Sequence, residues 1–450
     1  MKKARSKPGD AIHSWGAGRR APRTAPGATG TGGRGTRTAI GGRDYTPRLR
    51  RLVPNLLLAC ASVLAAALAL EGALRVFWPQ ELPFFSGLFV EDPAVGMRHV
   101  PHTRAPMGSE SGGPVTVRIN SRGYRGPEYA WDAPARFRIL GLGDSFAFGF
   151  GVKEEDTYLA RLERALAAGR VEVINAGLAG MGPDNEARLL AADGPRLRPD
   201  LVLVGFFVGN DLIDAATGVA RTRLRNGVPM VPEAILERWY RPLRPGRILP
   251  QPLARPAPGG LDLPLPFKDT LRKHSHLYRL VTGRVGRLQL AWRGPRAGAA
   301  AQTPVEEFNP FAQEAFCLKS YPPEFDLAWE KAKGAVGQIK AWCDGHGARL
   351  AVVMIPTEAQ VYPERWDDVR RRFALRDEDF DLDKPQRILS EYAVATGIPM
   401  VDLLPVLRAA RHTGGPLYFR RDIHWTSRGH EVAADEILQR LDALGLLPPS

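Results

Sequence analysis

A serine, a histidine and an aspartate can together make a nucleophile, and this 450-residue chain holds such a set in two short blocks far apart in sequence. Ser145 closes Gly143-Asp144-Ser145, where the apolar run Phe137-Arg-Ile-Leu-Gly-Leu142 gives way to a Gly- and Phe-rich loop and then a helical pattern. A serine at a strand-to-helix turn lies against an opening helix N-terminus, whose free backbone N–H groups can stabilise an oxyanion. Near the other end, Asp422-Ile-His424-Trp425 can supply the acid and the base that a serine needs. Residues two apart do not face each other on a helix, so the pair is expected in a loop. The amphipathic pattern that follows, Glu431 to Leu438, puts that loop just before a C-terminal helix.

Each block has an ordinary alternative. Gly-Asp-Ser is a common turn composition. Asn210 can simply close the strand Leu201-Val-Leu-Val-Gly-Phe-Phe-Val208. Asp422 and His424 could be a loop pair or two metal ligands, but apart from His430 no third ligand stands at suitable spacing. No metal and no cofactor is therefore expected. Ala147 stands where the nucleophile elbow of α/β-hydrolases requires glycine, which argues against that fold.

Taken in order, Gly143-Asp144-Ser145, Gly180, Gly205-Phe-Phe-Val-Gly-Asn210-Asp211 and Asp422-Ile-His424 resemble the four blocks of the SGNH (GDSL-type) hydrolase family, in a membrane-anchored bacterial form. The resemblance implies a triad of Ser145, His424 and Asp422 working through an acyl-enzyme. It also implies an oxyanion hole made by the N–H groups of Ser145 and Gly180 and the side-chain amide of Asn210. In Asn175-Ala-Gly177-Leu-Ala-Gly180, the family's Asn-x-Gly-x-x-Gly pattern selects Gly180, leaving Gly177 to the strand-exit turn. Many family members carry Asp-x-x-His where this chain has Asp-x-His. Asp144 and Asp211 are given support roles, and His102 and His430 structural or solvated ones. A segment like Asn120-Ser-Arg-Gly123-Tyr-Arg125 precedes the nucleophile in many membrane-anchored relatives.

Strands are expected at Phe137–Leu142, Val171–Asn175, Leu201–Phe207, Arg349–Ile355 and Ile398–Val401. Helical patterns lie between or after them, at Thr157–Ala168, Pro183–Ala192, Phe325–Gly345, Pro385–Thr396 and Gly429–Leu444. This alternation predicts a three-layer α/β/α sandwich with a mostly parallel five-stranded sheet, SGNH- or flavodoxin-like, preceded by one transmembrane helix. Ser145, Gly180 and Asn210 then all follow the C-terminal ends of strands, where open parallel sheets form their binding crevice. The expected division is a basic disordered tail (1–51), a membrane helix (52–78), a β-rich lead-in (79–135) and the hydrolase domain (136–450). An insertion at 212–303 carries a Pro-rich run, Pro242 to Pro266, and a basic amphipathic helix around Asp269–Trp292.

The net charge of +14 points first to an acidic partner, but its location removes that reading. Residues 1–52 hold thirteen Lys and Arg against Asp10 and Asp44, leaving only three net charges for the rest, so no nucleic-acid partner is expected. Leu52 to Leu70 is free of charge and long enough to span a bilayer of about 30 Å. Arg48, Arg50 and Arg51 flank it and put the N-terminus in the cytoplasm, with the catalytic domain periplasmic or extracellular. A cleaved signal peptide ending near Ala65 to Ala69 is the alternative. Cys317 and Cys343 could form one disulfide or remain free.

The reading favoured by these residues is a serine esterase that hydrolyses acetyl or short-chain O-acyl esters outside the cytoplasm, with an acylated envelope glycan or lipid as partner. O-acyl transfer to a cell-envelope polysaccharide uses the same acyl-enzyme and stays open beside it. Lipase or phospholipase action and an inactive carbohydrate-binding relative are the remaining alternatives.

Overall fold

The computed structural model describes residues 46–77, 88–107, 115–129, 131, 136–166, 170–217, 223–225, 228–230, 271, 275–278, 280–281, 313–373, 375–420 and 422–448. The Pro-rich run 242–266, most of the 269–292 helix and most of the N-terminal tail lie outside these described residues. Helix α1 spans Thr46–Phe77. Its portion Pro54–Phe77, 24 residues with a mean hydropathy of 2.1, is long and apolar enough to cross a membrane.

Two antiparallel hairpins lead into the core: β1 (Phe89–Asp92) pairs with β2 (Gly96–His99), and β3 (Arg104–Met107) with β4 (Val115–Arg118). After β4, Asn120 Oδ1 accepts the N–H groups of Arg122 and Tyr124 at 2.9 and 3.0 Å, which folds the expected turn. The Tyr124 ring is buried, and its hydroxyl bonds Asp193 of the core.

The core strands are β5 (Phe137–Gly143), β6 (Val171–Asn175) and β7 (Leu201–Phe207). A small hairpin, β8 (Arg223–Arg225) with β9 (Val228–Met230), precedes β10 (Arg349–Ile355) and β11 (Met400–Asp402). The five-stranded sheet has the order β11-β10-β7-β5-β6, and all four pairings are parallel. A parallel sheet hides both faces, and β7 is accordingly buried along its whole length. One face, with Leu140, Leu142, Val202, Val204 and Val352, is covered by α4 (Pro183–Leu197), α5 (Asp211–Thr217) and α6 (Pro323–His346). The other, with Ile139, Leu201, Leu203, Ala351 and Val353, lies under α3 (Tyr158–Ala165) and the last helix, Ser427–Ala443. The result is the three-layer sandwich expected from the alternation.

Several boundaries differ from expectation. β11 begins at Met400, two residues later than Ile398. α4 runs past Ala192 to Leu197 and through Gly194 and Pro195. Gly194 is required there by packing: a Cβ would lie 2.4 Å from the Trp342 ring of α6. The last helix starts at Ser427, capped by the Thr426 hydroxyl, two residues before Gly429. Cys317 and Cys343 are both free and buried.

Leu203 lies at the centre of β7 and is fully buried. Leu203→Ala is expected to lower stability by roughly 2–5 kcal/mol, read as a shift in the urea unfolding midpoint.

Candidate active site

Three strand ends meet on one edge of the sheet. β5 ends at Gly143, and Ser145 opens the four-residue helix α2 (Ser145–Phe148). Asp144 caps that helix, its Oδ1 accepting the Phe146 N–H at 2.8 Å. β6 ends at Asn175, and the chain after it runs back along the end of β5, with the Ala176 N–H donating to the Gly141 carbonyl and the Leu178 N–H to Gly143. Gly177 passes so close to α2 that a Cβ would stand 2.3 Å from the Phe148 nitrogen. A side chain has no room at this position. Gly180 follows in a turn closed by the Met181 N–H to the Leu178 carbonyl, at φ +81° with open space where a Cβ would project. β7 leads to Asn210, half-buried, whose side chain bonds the Asp144 carboxyl. Asn210 Oδ1 has no partner among the described residues. Asp211 Oδ2 accepts the N–H of Phe207, the last residue of β7, at 2.7 Å, so Asp144 and Asp211 each bond backbone beside the strand ends.

The other half of the site arrives from the C-terminus. Residues Leu417–Phe419 pair with His424–Thr426: the Phe419 N–H donates to the His424 carbonyl, and the Thr426 N–H to Leu417, both at 2.9 Å. Trp425 is fully buried among the rings of Phe146, Tyr158, Tyr418 and His430. This anchors a short loop that presents His424 across the sheet edge to Ser145. His424 Nε2 lies 2.6 Å from Ser145 Oγ. Its Nδ1 bonds Asp422 Oδ1, which also accepts the His424 backbone N–H at 2.9 Å. With Nδ1–H donated to the carboxylate, the Nε2 lone pair faces the serine hydroxyl.

Charges in the site follow from burial and partners. Burial works to raise the Asp422 carboxyl, yet the imidazole and the two N–H groups of His424 hold it below the usual carboxylate range. Asp144 is fully buried, and desolvation pushes it up to about 6 despite the Phe146 N–H, His424 and Asn210. His430 is buried, its Nδ1 facing the Tyr158 N–H at 3.3 Å, and desolvation drives it down to about 3. A neutral ring at the start of α3 is therefore structural. His102 sits at φ +58° beside Arg104 and Glu128 on the wall of a separate pocket.

Sequence reasoning missed the aromatic walls. Phe150 stacks on the His424 ring with centroids 4.3 Å apart, and Phe146 lies 5.1 Å away. The signal was present as the Phe-rich stretch Phe146-Ala-Phe148-Gly-Phe150, but period-based reading assigns no partner to a loop phenylalanine.

Residues 321–448 match a family model described as the SGNH hydrolase-like domain of the acetyltransferase AlgX. The chain carries an SGNH hydrolase-like domain. The matched segment contains Asp422 and His424, while Ser145, Gly180 and Asn210 lie before it. Among curated proteins the chain is similar to "Probable alginate O-acetylase AlgJ" of Azotobacter vinelandii, 29% identical over 105 residues, or 23% of this chain and 25% of that protein. The AlgJ protein of Pseudomonas fluorescens is 26% identical over 136 residues, 30% of each chain. The match thus spans under a third of these relatives' length. A solved acetylxylan esterase from Geobacillus stearothermophilus aligns at 12% identity and a TM-score of 0.34, over 69% of this chain and 96% of its own.

Asp144 generates a pH prediction. Its folded value lies above the unfolded value near 3.8, so the stability it adds is complete below that value and is lost as pH rises through about 6. Asp144→Asn removes this dependence while keeping a capping side chain. The stability of wild type minus variant should therefore fall between about pH 4 and pH 6, measured by urea titrations at each pH.

Proposed function

We propose that the chain is an O-acyltransferase of the cell envelope, acting through a Ser145–His424–Asp422 triad and an acyl-enzyme. The observation that carries this reading is the 2.6 Å approach of His424 Nε2 to Ser145 Oγ, with Asp422 on the other ring nitrogen. The comparisons favour transfer over the ester hydrolysis that the residues alone suggested. The matched family model is described as the SGNH hydrolase-like domain of an acetyltransferase, and the curated relatives each carry the name "Probable alginate O-acetylase AlgJ".

In the first half-reaction His424 Nε2 takes the Ser145 proton as Oγ attacks the acyl carbonyl. The tetrahedral oxyanion is met by the N–H groups of Ser145 and Gly180 and the amide of Asn210. The bond to the donor's oxygen then breaks, and His424 returns the proton to that oxygen. In the second half a glycan hydroxyl gives its proton to His424 and attacks the acyl carbonyl; the bond to Ser145 Oγ then breaks, and His424 returns the proton to Oγ. Asp422 stabilises the imidazolium in both. Interception by water would make the same site an esterase.

A polysaccharide acceptor is supported by an open cleft of about 740 Å³ that shares Phe419 and Thr426 with the His424 loop. The half-buried Tyr362 lines it, and although Arg365 pairs with Glu358 at 2.9 Å, the three arginines Arg365, Arg411 and Arg420 outnumber Glu358 and Glu364. Such a surface suits a sugar chain that carries carboxylates, as alginate does. The proposed location is a membrane anchor over residues 52–78, with residues 1–51 cytoplasmic and the lead-in and catalytic domain on the outer side, where envelope glycans lie.

The test is fluorophosphonate labelling of the protein and, on a separate unlabelled sample, acetyl transfer from p-nitrophenyl acetate to a polyuronate oligosaccharide. Ser145→Ala should abolish labelling, and His424→Ala should slow it by roughly 10⁴-fold or more. Mass spectrometry should find acetyl groups on the oligosaccharide in excess of free acetate. Free acetate alone would assign the protein to hydrolysis, and a folded wild type that never labels would remove the serine from the chemistry.

A further inference from the structure

The segment Asn120–Arg125 ends on a residue that the chemistry above does not use. Arg125 is 1% exposed and among the largest fully buried side chains. Its backbone bridges Ile119 on one side and Asn175, the last residue of β6, on the other. This delivers its guanidinium to the C-terminal end of α2. There Nη1 donates to the carbonyls of Phe148 at 2.8 Å and Gly149 at 2.5 Å, and Nη2 donates to Val152 at 2.7 Å. Asn175 Nδ2 donates to the Phe148 carbonyl as well, at 3.4 Å.

The physical need is plain. The carbonyls of Ser145 and Phe146 accept the N–H groups of Gly149 and Phe150, while those of Phe148, Gly149 and Val152, at and just beyond the end of α2, face the guanidinium, and a cation there satisfies them. A lysine could reach one or two of these oxygens, but only the planar fork of arginine bridges three at once. Burying a cation whose direct partners, among the described residues, are all neutral carbonyls is nevertheless costly. Desolvation lowers it to about 10, so it stays charged at neutral pH, with Glu154 and Glu155 supporting the charge.

The three bonded carbonyls bracket Phe150. This residue lies between Gly149 and Val152, its N–H donates to the Ser145 carbonyl at 3.0 Å, and its ring stacks on His424 at an interplanar angle of 23°. The imidazole, held also by Asp422 and Phe146, thus lies against a ring whose neighbouring carbonyls Arg125 grips. We propose that Arg125 is a positioning residue for acyl transfer: by gripping the Phe148, Gly149 and Val152 carbonyls it fixes Phe150 against His424, and so aims Nε2 at Ser145. It touches no reacting atom. This inference rests on the serine–histidine reading above and adds to it the device that sets the base.

A double-mutant cycle on the full-length protein tests it, with Arg125→Lys, Phe150→Leu and the double variant. The readouts are kcat and KM for p-nitrophenyl acetate and the fluorophosphonate labelling rate. Each single change should lower kcat by roughly 10- to 100-fold with KM within about twofold, because aim is lost and binding is not. Since both act through one contact, the double variant should be no slower than the slower single. Losses that multiply, or a wild-type kcat in Arg125→Lys, would overturn the proposal. Should Arg125→Lys fail a thermal-melt check of folding, Phe150→Leu decides alone: a wild-type kcat there defeats the inference, and a kcat loss at constant KM upholds it. A wild type that labels, beside variants that act independently, removes only the role of Arg125. A wild type that never labels removes the serine–histidine reading and this inference together.

Discussion

Because all five strands run the same way, every loop that leaves a strand's C-terminal end emerges on one edge of the sheet. The candidate site depends on that constraint. In the order β11-β10-β7-β5-β6 the chain steps from β5 to β6 on one side and then to β7 on the other, so the connections diverge between β5 and β7. Ser145 and Asn210 stand at the mouth of that divergence, and Gly180 comes in from the β6 side. No long-range adjustment is needed to bring them together.

The histidine half has no such geometric help, because it arrives on a loop between β11 and the last helix. Its placement rests on packing. Trp425 is sunk among four rings while its neighbour His424 is flanked by Phe146 and Phe150. A buried tryptophan beside a catalytic-type histidine turns a flexible segment into a fixed mount, and preorganisation of this kind is what general-base catalysis requires. Asp144 does the same for the serine side at an electrostatic cost, since a desolvated carboxyl caps α2.

The strands were legible because each is a short apolar run bounded by turn residues, and four of the five are placed within a residue of expectation. Ser145, Asn210, Asp422 and His424 were legible because their blocks are chemically unusual and ordered. What stayed hidden was set by tertiary contact. The pattern Pro183–Ala192 stops short of Leu197, and the contact of Gly194 with Trp342 belongs to the stretch it leaves out. Helix α2 is one turn long, too short to show a period. The partners of Phe150 and Arg125 lie on elements remote in sequence, and local pattern carries no record of them.

The serine and the histidine that meet at 2.6 Å are 279 residues apart along the chain. Contacts of such separation form late, since they wait on closure of everything between them. During synthesis from the N-terminus, the nucleophile helix and the sheet edge can be complete while Ser145 is still an ordinary alcohol. In the proposed mechanism the serine gains its base only when the segment around His424 docks, so a chain stalled or clipped before His424 holds the sheet-edge crevice without that base. The order of the motifs thereby ties the proposed reactivity to the docking of the segment that carries Asp422 and His424.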